Sequence, residues 1–219
     1  MPSRRALASA LLSTLLLVAL ILVVAARGGA PFAADTALHD WALEHRGGTH
    51  SAPVTIAEIV TAGGSGWPTL VLAALAGAAA CRGTLLPGAL VAVAALLAAQ
   101  FLRLLLAKAV DRPRPPAVDW ALHVHYPSLP SGHAATSALV AIGVAAVLLR
   151  SRVPRALALG LPALWALAVG ASRVYLGVHW PTDILAGWLF AIALSSLFLP
   201  PLGRLLPRLG CLGRPSARR

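Results

Sequence analysis

The chain has 219 residues, 58% of them hydrophobic and only 11% charged, with mean hydropathy +0.81. So little charge excludes a water-soluble domain of this length, and several uncharged stretches approach or exceed the roughly 18–20 residues that cross a bilayer core. The net charge of +11 does not point to nucleic acid, because nearly all of it is arginine in short loops and at the two ends, which is how a membrane protein orients itself.

Residues 6–26 carry no charge and follow Arg4 and Arg5. A cleaved signal peptide is the rival reading, since Val24-Ala25-Ala26 resembles a cleavage site. The apolar run exceeds the roughly 7–15 residues of a usual signal core, so a retained first membrane helix is predicted. Residues 27–61 are more polar. Asp35 is expected to cap a helix carrying Leu38, Trp41 and Ala42 at helical spacing, and TIAEIV suggests a second short amphipathic piece. Both are predicted to be interfacial helices lying on the membrane, with an ordinary loop as the alternative.

Further spans are predicted at 62–81, 84–107, 134–149, 156–171 and 184–202. Residues 108–130 read as a polar, proline-rich loop, and residues 203–219 as a basic cytoplasmic tail able to touch anionic headgroups. The predicted fold is all-α: a polytopic membrane protein, one domain over residues 1–219, with six transmembrane helices in a bundle. Backbone groups in lipid need internal partners, so the spans must be helical.

Charge placement orients this layout. Arg4, Arg5, Arg82, Arg150, Arg152, Arg155 and the arginines from Arg204 onward fall on one side, predicted to be cytoplasmic together with both termini. All seven acidic residues fall on the other. Cys81 and Cys211 share the inner side, so no disulfide framework is expected. Arg103, Lys108, Arg112, Arg114 and Arg173 break the trend by clustering at outer joints after the third and fifth spans, and residues that break a local rule are functional candidates.

Three segments meet on that outer face: KAVDRPRPP (108–116), PSGH (130–133) and SRVYLGVHWPTD (172–183). Lys108, Arg114 and Arg173 are donors without acceptor function, and grouped they ask for a multiply charged anion such as phosphate. PSGH offers the Ser131 hydroxyl and backbone N–H groups around Gly132 at a helix N-terminus, a ready anion site. Pro181 reads as the first residue of the last helix, with Asp183 in its first turn. His179 and Asp183 are four apart, so the carboxylate is placed to take one imidazole N–H, fix the tautomer and leave the other nitrogen free to attack. His133 suits protonation of a leaving oxygen. Two histidines, one carboxylate and a cationic cradle suit phosphoryl transfer. There is no Walker loop and no carboxylate cluster for magnesium, so the natural reading is a metal-free route through a phosphohistidine.

Other polar residues carry plainer readings. Arg112 reads as a loop arginine paired with Asp111 or Asp119, and Arg103 as able to snorkel to the interface. His123 and His125 form His-x-His with no third ligand in view, which favours a solvated loop. His39, His45 and His50 lack ligand spacing and read as surface residues. Trp67, Trp120, Trp180 and Trp188 suit a membrane interface.

The three segments resemble the signature of the type 2 phosphatidic acid phosphatase (PAP2) family, membrane lipid phosphatases related to vanadium haloperoxidases. That signature is Lys-x6-Arg-Pro, then Pro-Ser-Gly-His, then Ser-Arg-x5-His-x3-Asp. The second and third motifs match in full at residues 130–133 and at Ser172, Arg173, His179 and Asp183. In the first, Arg114-Pro115 fits, but the lysine position is Ala107. Lys108 stands one residue late, about 100° around a helix, and Arg103 or Arg112 are possible substitutes.

The resemblance implies that His179 is the nucleophile, Asp183 its orienting partner and His133 the general acid. Lys108, Arg114, Ser131, Gly132 and Arg173 would bind phosphate, and no metal or other cofactor is required. The expected function is a phosphatase of the plasma (inner) membrane acting on a lipid phosphate or diphosphate at the outer, periplasmic face. Undecaprenyl diphosphate is the leading substrate; phosphatidate and phosphatidylglycerol phosphate stay open. Phosphotransfer to an acceptor other than water uses the same residues. An anionic-lipid flippase is the alternative from another class; it predicts ionisable residues at mid-membrane and an inverted repeat, and the sequence shows neither. The expected partners are the lipid substrate and the bilayer, with no nucleic acid, and the sequence does not set an oligomeric state.

Overall fold

The computed structural model describes residues 3–81 and 85–205. Among the described residues the chain is all helical, with α1 (Arg4–Ala26), α2 (Ala33–His45), α3 (Ala52–Ala62), α4 (Gly66–Ala80), α5 (Leu85–Val110), α6 (Gly132–Leu148), α7 (Arg155–Tyr175) and α8 (Pro181–Leu205). A single 3-10 turn, Ala117–Asp119, interrupts the loop between α5 and α6. Every predicted span coincides with a helix. Four of them, α1, α5, α7 and residues 181–200 of α8, are long and apolar enough to cross a bilayer alone. The other two differ from the expected layout. α6 is apolar but has only 17 residues. α4 reaches spanning length only together with α3, as a pair bent by 45° at a break of a few residues. That break holds Gly63, Gly64 and Ser65, and Gly66 follows at φ +62°. Helix length thus supports four spans alone, or five with the bent pair, rather than six.

The helices pack by small residues. A Cβ on Gly77 would lie 2.2 Å from the Gly88 carbonyl oxygen, and one on Gly88 would lie 2.2 Å from that of Gly77. α4 and α5 therefore touch backbone to backbone, the close approach that small residues permit in membranes. Cys81, fully buried at the end of α4, is disulfide-bonded, where no disulfide framework was expected. α1 packs along α8 through Leu17, Val24, Ala186 and Phe190. Large apolar residues such as Leu11, Leu22, Phe101 and Leu164 remain exposed on the outer faces of their helices, as lipid contact requires.

One end of the bundle carries the polar residues. The C-terminal ends of α5 and α7 meet the N-terminal ends of α6 and α8 there, with α2 and α3 packed against α7. Gly187 lets α8 close on the start of α6, since a Cβ there would sit 2.9 Å from the Ser131 carbonyl oxygen. The Ser131 N–H donates to the Asp183 carbonyl at 3.0 Å, locking the PSGH turn to the first turn of α8.

Candidate active site

α8 begins at Pro181, as its fixed φ favours, and holds Asp183 in its first turn. The loop before it turns at Gly177 (φ +73°), where a Cβ would lie 2.3 Å from the Asp119 carbonyl oxygen. This close approach brings His179 back over Asp183. His179 Nδ1 lies 3.4 Å from Asp183 Oδ2 and 3.4 Å from Ser128 Oγ. His179 Nε2 lies 3.0 Å from an Arg114 guanidinium nitrogen. A guanidinium can only donate, so Nε2 carries the lone pair and Nδ1 the proton. This is the tautomer a nucleophilic Nε2 needs.

Asp183 is fully buried and fully engaged. Its Oδ1 accepts from Arg112 at 2.6 Å. Its Oδ2 accepts from the Trp180 backbone N–H at 2.8 Å and from the Ser128 hydroxyl. Arg112 is not the loop arginine expected. It is 1% exposed and donates to Asp183, Asp35 (2.9 Å), the Thr182 hydroxyl (2.7 Å) and the Gly29 carbonyl (3.2 Å). The physical reason is charge compensation, since two buried carboxylates need a buried cation. Asp35 is likewise not the N-cap of α2, a position held by Phe32. It sits at the third helical position, accepts from the Phe32 N–H at 3.1 Å and from the Thr182 N–H at 2.9 Å, and is wholly buried.

A cavity of about 260 Å³ opens in front of His179. Its cationic wall is Arg103, Arg114 and Arg173, and Ser65, Gln100, His125, Tyr126, Gly132, His133 and Thr136 add to its lining. Arg173 stays on α7, which runs to Tyr175 rather than stopping near residue 171. Its guanidinium is 2% exposed and donates to the Thr61 hydroxyl at 3.2 Å, while its Nε has no partner. Arg114 is anchored by the Tyr126 carbonyl (2.7 Å) and the Val178 carbonyl (2.5 Å). His133 Nε2 meets the Ser65 hydroxyl at 2.9 Å. Ser131 is fully buried at the N-cap of α6 with its hydroxyl unpartnered, behind the lining rather than in it.

The structure does not bring Lys108 to this site. Lys108 is exposed, while Ala107 is buried and faces inward. One residue of offset turns the side chain off the inner face. Gln100 and Arg103, three and four residues apart from their inward neighbours on that face, line the cavity instead. Other sequence readings also change. His39 is buried, not at the surface, and lies 3.1 Å from Asp119. Trp180 is buried, and its indole N–H donates to the Pro113 carbonyl at 3.2 Å. His125 lines the cavity mouth and His123 is exposed.

Electrostatics favour a neutral His179 imidazole. Burial, then the charges of Arg114, Arg173 and Arg103, hold the His179 imidazole well below the usual histidine value. Burial likewise lowers Arg114 to about 10, against a raising contribution from Asp183.

This geometry defines an all-helical membrane protein with a cavity walled by three guanidinium groups at one end of its bundle. The family model for the PAP2 superfamily matches residues 88–202, just over half of the chain, and the chain belongs to that superfamily. It is 44% identical over 70 residues to an undecaprenyl-diphosphatase of Sulfolobus acidocaldarius, a stretch covering 32% of this chain and 31% of that protein. The chain thus matches under a third of that relative's length. Its fold is similar to the crystal structure of a transmembrane PAP2-type phosphatidylglycerolphosphate phosphatase from Bacillus subtilis (TM-score 0.75, 22% identity, covering 90% of this chain and 97% of that one). It is also similar to Aquifex aeolicus LpxE (TM-score 0.55, 24% identity, covering 77% and 96%).

Proposed function

We propose that the protein is a lipid phosphatase acting through a phosphohistidine on His179, with a polyprenyl diphosphate such as undecaprenyl diphosphate as its substrate. The observation that carries the reading is His179 Nε2, unprotonated and facing a cavity walled by three guanidinium groups. A phosphate entering there takes over the Arg114 donor and gains Arg173 and the free backbone N–H groups at the start of α6. Nε2 attacks phosphorus, the P–O bond to the leaving group breaks, and His133 gives its proton to the departing oxygen. His133 then takes a proton from water, whose oxygen attacks phosphorus, and the N–P bond breaks to release inorganic phosphate. Asp183 stabilises the Nδ1–H throughout.

Two further observations support a lipid. An apolar cleft of about 510 Å³ is lined by α4, α5, α6 and α8, and its lining residues Ala99, Leu102, Leu139 and Val140 neighbour the cavity residues Gln100, Arg103 and Thr136 along the same two helices. The Sulfolobus relative is named for undecaprenyl diphosphate. Arginine placement supports a site on the outer face of the plasma membrane with both termini inside.

The test is phosphate release by purified protein from undecaprenyl diphosphate, phosphatidate and phosphatidylglycerol phosphate, with EDTA present. Release from the diphosphate, undiminished by EDTA, is expected. Release from none of them, or only after adding a metal, overturns the reading. The pH profile is a second check. A histidine with lowered pKa stays neutral, hence nucleophilic, as pH falls through the usual histidine range. The acid limb of kcat/KM should therefore lie below pH 6.5, the ordinary histidine value. A limb at about 6.5 or above, after correcting for substrate ionisation, contradicts the buried neutral imidazole.

A further inference from the structure

Arg103 stands where the phosphate-binding lysine of the motif is missing, and its position on α5 gives it a different task. It lines the cavity with Arg114, Arg173 and His179. Its guanidinium packs on the N-terminus of α6, where a Cβ on Gly132 would lie 3.3 Å from it. Arg114 follows α5 on the loop, whereas Arg103 precedes the helix end Val110 by seven residues, roughly 10 Å along the axis. Arg103 is therefore the bilayer-side cation of the cavity. Its neighbour on α5, Leu102, already lines the apolar cleft.

We propose that Arg103 binds the phosphate that stays with the lipid, so that the site is built for lipid diphosphates in preference to lipid monophosphates. This rests on the phosphatase reading above. When His179 attacks the terminal phosphorus of a diphosphate, the bond to the bridging oxygen breaks and its electron pair leaves on a lipid monophosphate. That leaving group gains negative charge on the bilayer side, where Arg103 stands. A lipid monophosphate departs instead as an alcohol, which depends more heavily on the His133 proton and offers no second anion to Arg103. Charge count points the same way. Three guanidinium groups and no carboxylate line the cavity, which suits a diphosphate better than a monoester dianion. A guanidinium is permanently charged and forks onto phosphate oxygens, so it supplies this without depending on pH. The charge of Arg103 also acts at His179 and Arg114.

The experiment compares kcat/KM for farnesyl diphosphate and farnesyl monophosphate in wild type, Arg103→Ala, Arg103→Lys, Lys108→Ala and His179→Ala, with thermal unfolding of each in detergent. Arg103→Ala should lose about 30–100-fold on the diphosphate and under about 3-fold on the monophosphate. Arg103→Lys should fall between, and Lys108→Ala should match wild type. An equal loss on both substrates, no loss on either, or a Lys108→Ala variant that loses the diphosphate selectively overturns the assignment, and equal losses with lowered unfolding temperature mark a structural residue. Wild type releasing phosphate from the monophosphate alone overturns this inference while the phosphatase reading stands. An active His179→Ala, or a wild type inactive on both, overturns the phosphatase reading itself.

Discussion

Replacing His179 with alanine is expected to lower phosphate release by at least about 10⁴-fold, because it removes the imidazole nitrogen that faces the three guanidinium groups. Arg103, Arg114 and Arg173 cannot accept a proton, and His133 lies across the cavity against Ser65. Rapid quenching into base should trap an acid-labile phosphoenzyme in wild type and none in the variant. Asp183→Asn should retain more activity, with a loss of about 10²–10³-fold carried by kcat. The amide keeps the volume, but it no longer compels the proton onto Nδ1 or stabilises positive charge on the ring. Residual turnover in His179→Ala within about 10-fold of wild type, or a phosphoenzyme still trapped there, sinks the assignment.

The residues that face the cavity from PSGH and the start of α8 were legible in the sequence because their types and spacings are local. His179 and Asp183 are one helical turn apart, and PSGH announces a helix start by its own chemistry. What holds these groups was not legible. Asp35 looks like a capping residue, and it does accept a backbone N–H of its own helix. Nothing near it in sequence tells that its other lone pairs reach Thr182 and Arg112. Arg112 has Asp111 beside it, yet Asp111 adopts φ +47° and is exposed, so the chain turns there and carries Arg112 inward. Ser128 had no motif at all. These contacts join residues 55–147 apart in the chain, and only the packing of α2, the loop after α5 and α8 against one another creates them.

The fold shows the same division. Apolar runs without charge marked the helices, because lipid imposes that composition on any span. Their ends were less visible. α7 continues through Ser172 and Arg173 because both polar groups find partners inside the bundle, Ser172 on the Val169 carbonyl and Arg173 on Thr61. The break between α3 and α4 was blurred because glycines weaken both helical and apolar signals at once. The displaced lysine of the first motif was visible as a spacing error. That Arg103 occupies the inner face in its place follows from helical phase, since residues 100, 103 and 107 share one side of α5.

Arg112→Met is expected to be the most destabilising single change at the site. It keeps much of the side-chain length and removes the one cation, among the described residues, within hydrogen-bond distance of both Asp35 and Asp183, each wholly buried. Removing one partner of a buried ionic cluster costs about 3–5 kcal/mol, which for a chain of this size lowers the unfolding temperature by on the order of 10 °C. Activity should fall as well, since Asp183 loses the 2.6 Å bond that aims its other oxygen at His179. Arg112→Lys should recover charge but not the fork that bridges the two carboxylates, and so restore only part of the stability. Adding Asp35→Asn to Arg112→Met removes one uncompensated charge and should raise stability above that of the single variant, a non-additive result. Differential scanning fluorimetry in detergent measures all three variants against wild type. If Arg112→Met unfolds within about 2 °C of wild type, or the double variant is less stable than the single one, Arg112 is not the counter-charge that holds the catalytic pair in place.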